Sequence, residues 1–254
     1  MIAEDDADFI TELIDGIRGF PKSTRYNTRH MAEIKEKTMK EAVCLGAIHS
    51  FRSGTNISVN TSNNKLSKLQ FALIKLVEIY KPNFKFTSIQ INKNFTSGTL
   101  HIDGNVGPSL TLSVGDFEGG QLYINNRGCV DTHNKLVLFN GQEPHMALPY
   151  TGKRYSFVFF TSISYLSLPE QKRARLAEFG YPLPNEGELD YFKEYSKELR
   201  SIPRHERLKD ARENMPYEIK QMDLGVIPDG HRGSISAQKL IRGLRINPWP
   251  AEPP

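Results

Sequence analysis

Six short segments, FTSIQIN, GTLHID, SLTLSVG, GQLYIN, KLVLFN and RYSFVFFT, follow one another between Phe86 and Thr161. Apolar and polar residues alternate along them, the period-2 signature of strands. Turn residues separate them: Gly119-Gly120, Asn125 to Gly128, Asn140-Gly141 and Gly152. Many short strands at regular spacing predict a sandwich or jelly roll.

Helical periodicity flanks this stretch. DADFITELIDGI and KLSKLQFALIKLVEIY carry apolar residues at helical spacing, the second through Leu66, Leu69, Leu73, Leu76 and Ile79. Between them SFRSGTNISVNTSNNK, rich in Ser, Asn and Thr, reads as an exposed loop or short hairpin, and its Asn-X-Ser sequons as chance. After Ser164 the segments LPEQKRARLAEFGYPLP, ELDYFKEYSKELRSI and HERLKDARENM are polar and helical in pattern, and NPWPAEPP is proline-rich. The expected organisation is α+β, mainly β. A helical and loop segment over 1–84 packs on a β core over 85–164, and a helical extension with a proline-rich tail follows over 165–254.

Composition bounds the chemistry. A chain of 254 residues, 38% hydrophobic, suits one good-sized core with at most a smaller appendage. Its start, MIAEDDADFITELIDG, lacks the layout of a secretory signal, and no run approaches the roughly 18 apolar residues of a membrane span. We therefore expect an intracellular protein, cytoplasmic or nuclear, with no membrane partner and a monomeric state. Cys44 and Cys129 are the only cysteines, which excludes a cysteine-rich zinc site, so a metal must use histidine and carboxylate. The formal charge is +4, but 29 acidic residues mix with 33 basic ones, so charge alone selects no partner.

Candidate ligands follow from the strand pattern. In GTLHID, His101 and Asp103 stand at i and i+2 and point to one face. A third ligand must come from another strand. His145 follows the turn after KLVLF and leads into the last strand pair; His133, in CVDTHNK, competes with it. His145 is preferred because it alone leads through a short turn into the arginine-bearing strand. Two histidines and a carboxylate form the facial triad that leaves cis positions open on ferrous iron, as a reaction with dioxygen requires.

RYSFVFF places Arg154, Ser156, Val158 and Phe160 on one face and Tyr155, Phe157 and Phe159 on the other. Both faces are largely apolar, so Arg154 lies at least partly inside, where a guanidinium needs an anion. A carboxylate held bidentate by Arg154, with a further hydrogen bond from Ser156, meets that need. Gln90 and Asn92 alternate with Ile89 and Ile91 on the strand before the His-X-Asp pair, where their amides reach a co-substrate or substrate, or are ordinary strand-edge polarity. Asn105 stands either at the pocket mouth, touching substrate, or in a turn.

His101-Ile-Asp103, His145 and Arg154-Tyr155-Ser156, in this order, resemble the iron- and 2-oxoglutarate-dependent dioxygenases. HIDGNVGPSLTLSVGDFEGGQL and FNGQEPHMALPYTGKRYSFVFFT are similar to the branch of ten-eleven-translocation and base-J-binding nucleobase oxygenases. The resemblance covers about Phe86 to Pro184. It implies a double-stranded β-helix (jelly roll, cupin-like), Fe(II) on His101, Asp103 and His145, and 2-oxoglutarate held by Arg154 and Ser156. Dioxygen is then a co-substrate and ascorbate a candidate reductant, and a substrate C–H bond is hydroxylated as 2-oxoglutarate becomes succinate and carbon dioxide.

The substrate expectation is a modified nucleobase in DNA or RNA. RGFPKSTRYNTRH interleaves Arg18, Lys22, Arg25 and Arg29 with Phe20 and Tyr26, and HRGSISAQKLIRGLR carries Arg232, Lys239, Arg242 and Arg245 without an acid. Such segments suit phosphates and bases, or are solvated surface. No sequence-reading motif accompanies them, and a base in a duplex would have to be flipped out. A small-molecule or peptidyl hydroxylase using the same iron site is the alternative, and a non-catalytic jelly-roll binding module the third.

Overall fold

The computed structural model describes residues 1–23, 40–49, 57–60, 66–94, 99–195 and 197–223. Helix α1 (Glu4–Asp15) opens on three acidic residues, which suit the positive end of its dipole, and buries Ala7, Ile10 and Ile14. Helix α2 (Ser67–Tyr80) buries Leu69, Leu73, Ile74, Leu76 and Val77. Ile79, expected on that face, is 69% exposed. At about 100° per residue it is rotated by about 140° from Leu66, whereas Ile74 and Val77 fall within the apolar stripe.

Strands, numbered in chain order, form three antiparallel sheets. The largest runs β1 (Lys22–Ser23), β2 (Lys40–His49), β4 (Ser88–Lys93), β12 (Tyr155–Ser162), β5 (Asn105–Val114), β9 (Val137–Phe139), with β3 (Ile57–Asn60) paired to β2. The second is β10 (His145–Ala147), β7 (Leu122–Ile124), β8 (Gly128–Val130), and the third pairs β11 (Tyr150–Gly152) with β6 (Phe117–Gly119).

Five of the six expected strands are present. GTLHID is not one: it carries only an isolated bridge between His101 and His145. Sequence patterning gave no strand at KEAVCLGAIH, which forms β2, because its apolar residues run on without alternation. The segment read as a loop or short hairpin contains β3, which pairs with β2.

Register explains the division of labour on β12. Ser156 stands between Asn92 and Ser113, Phe157 between Ile91 and Leu112, and Val158 between Gln90 and Thr111. One face is therefore apolar: Phe157, Phe159, Ile89, Ile91, Leu110 and Leu112 join α1 and α2 in the main core. The other face carries Asn92, Ser156, Ser113, Gln90 and Thr111.

C-terminal helices follow: α3 (Glu170–Glu178), α4 (Glu186–Tyr195), α5 (Lys197–Ser201), α6 (Arg204–Asn214) and α7 (Tyr217–Asp223). Ala211, Met215 and Ile219 pack with Tyr123, Cys129, Met146 and Leu148, covering one side of the second sheet. Helix α4 presses Phe192 onto β5 at Gly107, where an added Cβ would meet the ring at 2.4 Å and φ is +68°. Among the described residues no helix is long and apolar enough to cross a membrane.

Candidate metal centre

His145 opens β10, and because Met146 beside it enters the helix-covered cluster, alternation turns the imidazole to the opposite face. His101 and His145 exchange backbone hydrogen bonds of 3.0 and 2.9 Å, which sets their rings 4.4 Å apart. Asp103 is placed by its own N–H, which donates to the Gly141 carbonyl at 2.8 Å. Gly141 has no side chain to oppose this; a Cβ there would meet Asp103 Cβ and Oδ2 at 3.2 Å.

Asp103 Oδ1 then lies 3.7 Å from His101 Nε2, and Oδ2 lies 3.6 Å from His145 Nε2. One ligand atom from each of the three residues falls within 4.8 Å of the others. The donor set fits a divalent cation. His101 Nδ1 is 2.8 Å from the Thr99 carbonyl and His145 Nδ1 is 2.7 Å from the Glu143 carbonyl. A carbonyl only accepts, so each Nδ1 carries a proton and each Nε2 presents a lone pair to the carboxylate. Facing lone pairs and a negative carboxylate lack positive charge between them, and a metal ion supplies it.

The His101 pKa is pushed down to about 4, first by burial and then by the facing His145, with Asp103 opposing. An unfolded chain takes this proton near the ordinary 6.5, whereas the fold refuses it until about 4. The contribution to stability is therefore full above pH 6.5 and is lost as pH falls toward 4. Urea unfolding of metal-free protein at about pH 7 and about pH 5 checks this, because His101→Gln should lose less stability on acidification than the wild type.

Arg154, 5% exposed, stands where β12 begins. Its Nη2 donates to Ser113 Oγ at 2.8 Å, and its guanidinium lies 5.5 Å from the centres of both the Phe117 and Tyr150 rings. Its buried Nε has no partner among the described residues. Burial pushes its pKa down to about 10. Beside it Ser156 Oγ accepts from Asn92 Nδ2 at 3.2 Å, and Asn92 Oδ1 accepts from Gln90 Nε2 at 3.1 Å. Ser113 Oγ is also 3.0 Å from Thr132 Oγ1.

Two residues of β5 mark the ends of this polar face. Ser109 Oγ accepts from Asn105 Nδ2 beside Asp103, and Ser113 holds Arg154. Four residues of strand, about 13 Å, separate them. Asn105, 7% exposed, also donates to Asp103 Oδ2 at 3.1 Å. His133 lies outside the cluster, with Nε2 3.0 Å from the Gly115 carbonyl and its ring 4.3 Å from that of Phe117.

Sequence patterning gives Ser113 and Gln142 no role and reads Gly120 and Gly141 only as turn residues. Gln142 is 5% exposed and its Nε2 donates to the carbonyls of Asp103 and Asn105 at 2.6 and 2.9 Å, tying the two loops together. Gly120 has φ +68°, and a Cβ there would meet Arg154 Nε at 2.8 Å and Cδ at 3.0 Å. Gly120→Ala is therefore expected to cost about 1–3 kcal/mol from the strained backbone and to displace the guanidinium. Denaturant unfolding measures the first effect and a crystal structure of the variant the second.

Of the basic stretches, Arg18 and Lys22 fall in described segments; Arg25, Tyr26, Arg29, Arg232, Lys239, Arg242 and Arg245 lie outside the described residues.

No protein-family model and no curated protein matches the chain. Among solved structures it is similar to an oxidoreductase of the 2OG-Fe(II) oxygenase family from Burkholderia pseudomallei, at 12% identity and a TM-score of 0.41, over 62% of this chain and 78% of that one. It is also similar to a prolyl hydroxylase from Trichoplax adhaerens, solved with a peptide fragment of the hypoxia inducible factor oxygen degradation domain. That likeness has 15% identity and a TM-score of 0.34, over 68% of this chain and 82% of the other.

Proposed function

We propose that the protein is an Fe(II)- and 2-oxoglutarate-dependent dioxygenase built on a double-stranded β-helix. His101, Asp103 and His145 hold the iron, and Arg154 with Ser156 holds the far carboxylate of 2-oxoglutarate. The observation that carries this reading is a pairing. Two imidazole nitrogens and a carboxylate gather on one side, while a buried guanidinium with an orphan Nε occupies the same β framework.

When bound, the iron brings dioxygen and 2-oxoglutarate to reaction, yielding succinate, carbon dioxide and a hydroxylated substrate, with one oxygen atom entering each of succinate and product. The chain's own residues prepare this. The Thr99 and Glu143 carbonyls hold the Nδ1 protons and so keep both Nε2 atoms as ligands. Asn105 fixes Asp103 Oδ2. The Phe117 and Tyr150 rings shield the Arg154 cation from water and so strengthen its hold on a carboxylate. Because Asn92 donates to Ser156 Oγ, the hydroxyl proton is left to donate to the co-substrate.

The proposed substrate is a modified nucleobase in DNA or RNA, a reading supported by the likeness of HIDGNVGPSLTLSVGDFEGGQL to the nucleobase oxygenase branch. A small-molecule or peptidyl hydroxylase is the second reading. The test incubates the protein with Fe(II), 2-oxoglutarate and ascorbate together with methylated DNA, RNA, peptides or a metabolite extract, and follows succinate and mass gains of one oxygen. Succinate that rises only with DNA or RNA selects the first reading. Succinate that rises only with peptides or metabolites selects the second.

A further inference from the structure

Three arginines of the C-terminal helices donate to backbone carbonyls beside the candidate ligands, two in the loops around them and one on Asn105, the first residue of β5. Arg204 Nη2 reaches the Ile102 carbonyl, between His101 and Asp103, at 2.5 Å. Arg200 Nη2 reaches the Asn105 carbonyl at 2.7 Å, and Arg207 Nη1 reaches the Gln142 carbonyl at 2.6 Å. Neither the loop between Thr99 and Gly104 nor that between Asn140 and Pro144 is a ladder strand, so no sheet partner satisfies the Ile102 and Gln142 carbonyls, whereas Asn105 opens β5. Ile102 is 2% exposed, which makes an unsatisfied carbonyl there costly.

The contacts close a circuit. Arg207 binds the carbonyl of Gln142; the Gln142 amide binds the carbonyls of Asp103 and Asn105; Arg200 binds the Asn105 carbonyl a second time; and Asn105 donates to Asp103 Oδ2. Burial pushes the Arg200 and Arg207 pKa values down, and for Arg207 the nearby Arg204 and Arg200 charges add to this. Crowded like charges are unfavourable, and the carbonyl dipoles they meet offset part of that repulsion.

We propose that Arg200, Arg204 and Arg207 are positioning residues of the metal centre, so that α5 and α6 set the separation of His101, Asp103 and His145. This rests on reading those three residues as metal ligands. It assigns the C-terminal extension to the chemistry of the site and not to substrate choice alone. Outer groups that orient metal ligands typically contribute 10- to 100-fold to metal affinity.

The experiment titrates metal-free full-length protein with Mn(II) by calorimetry and records the visible spectrum of the Co(II) form. It compares the wild type with Arg204→Ala, Arg207→Ala, Arg204→Lys and Lys209→Ala, and measures the unfolding midpoint of each metal-free form. The expected result is Mn(II) binding weakened about 10- to 100-fold in both alanine variants, with a shifted Co(II) spectrum. Arg204→Lys, which keeps one donor, recovers part of the loss, and Lys209→Ala, on a side chain 77% exposed, behaves as the wild type. Mn(II) affinity within about twofold of wild type in both alanine variants overturns the proposal, and where Arg204→Ala fails to fold, the same result in Arg207→Ala alone overturns it. So does a loss of affinity in the alanine variants that only tracks a lower unfolding midpoint. Failure of the wild type to bind Mn(II), Co(II) or Fe(II) overturns the metal reading itself, a result distinct from either.

Discussion

Asp103→Ala is expected to abolish metal binding and 2-oxoglutarate turnover together while leaving the fold intact. The carboxylate is the only negative charge of the cluster, facing both Nε2 atoms at 3.7 and 3.6 Å. Removing one partner from such a charge-paired arrangement costs about 3–5 kcal/mol, or roughly 10²- to 10⁴-fold in metal affinity. Its side chain is 28% exposed and its backbone N–H remains bound to Gly141, so stability in the absence of metal should change little. Titration with Mn(II) and urea unfolding of the same preparation separate the two effects. Metal affinity retained in Asp103→Ala would assign the cluster a purely structural role.

The second large effect belongs to Arg154. Truncating one partner of a buried charge pair costs about 2–5 kcal/mol, so Arg154→Ala should raise the 2-oxoglutarate requirement at least about 30-fold. Metal affinity should hold within about twofold, because Arg154 binds Ser113 and none of the candidate ligands. Stability should move the other way. A buried guanidinium with an orphan Nε is a burden on the free protein, so Arg154→Met is expected to match or exceed the wild type by about 1–4 kcal/mol when no 2-oxoglutarate is present. Adding 2-oxoglutarate should then stabilise only the wild type. An unchanged 2-oxoglutarate requirement in Arg154→Ala would remove the co-substrate role.

Local pattern carried much of this architecture, and the failures have identifiable physical causes. Alternation in RYSFVFF separated Arg154 and Ser156 from Phe157 and Phe159, and the sheet register keeps that separation. Alternation misled at GTLHID. His101 and Asp103 were expected on one strand face, but the segment is a loop pinned by one bridge to His145 and by the Gly141 carbonyl, both distant in sequence. For the same reason the contacts that support Asp103 were not legible. Gln142 lies 39 residues away and Arg204 forms its contact across 102. Gly120 and Gly141 read only as turn residues, because the space they leave for Arg154 and Asp103 exists only after folding. Strand β2 escaped because an uninterrupted apolar run carries no period to read.

Isotope tracing shows whether this chain couples decarboxylation of 2-oxoglutarate to the reduction of dioxygen, as proposed. Wild-type protein loaded with Fe(II) is supplied with 2-oxoglutarate and ¹⁸O₂, and the succinate formed is weighed by mass spectrometry. The expected product is succinate carrying one ¹⁸O atom, formed by the wild type and absent with Asp103→Ala. Succinate without the label, or equal labelling with Asp103→Ala, would contradict that coupling.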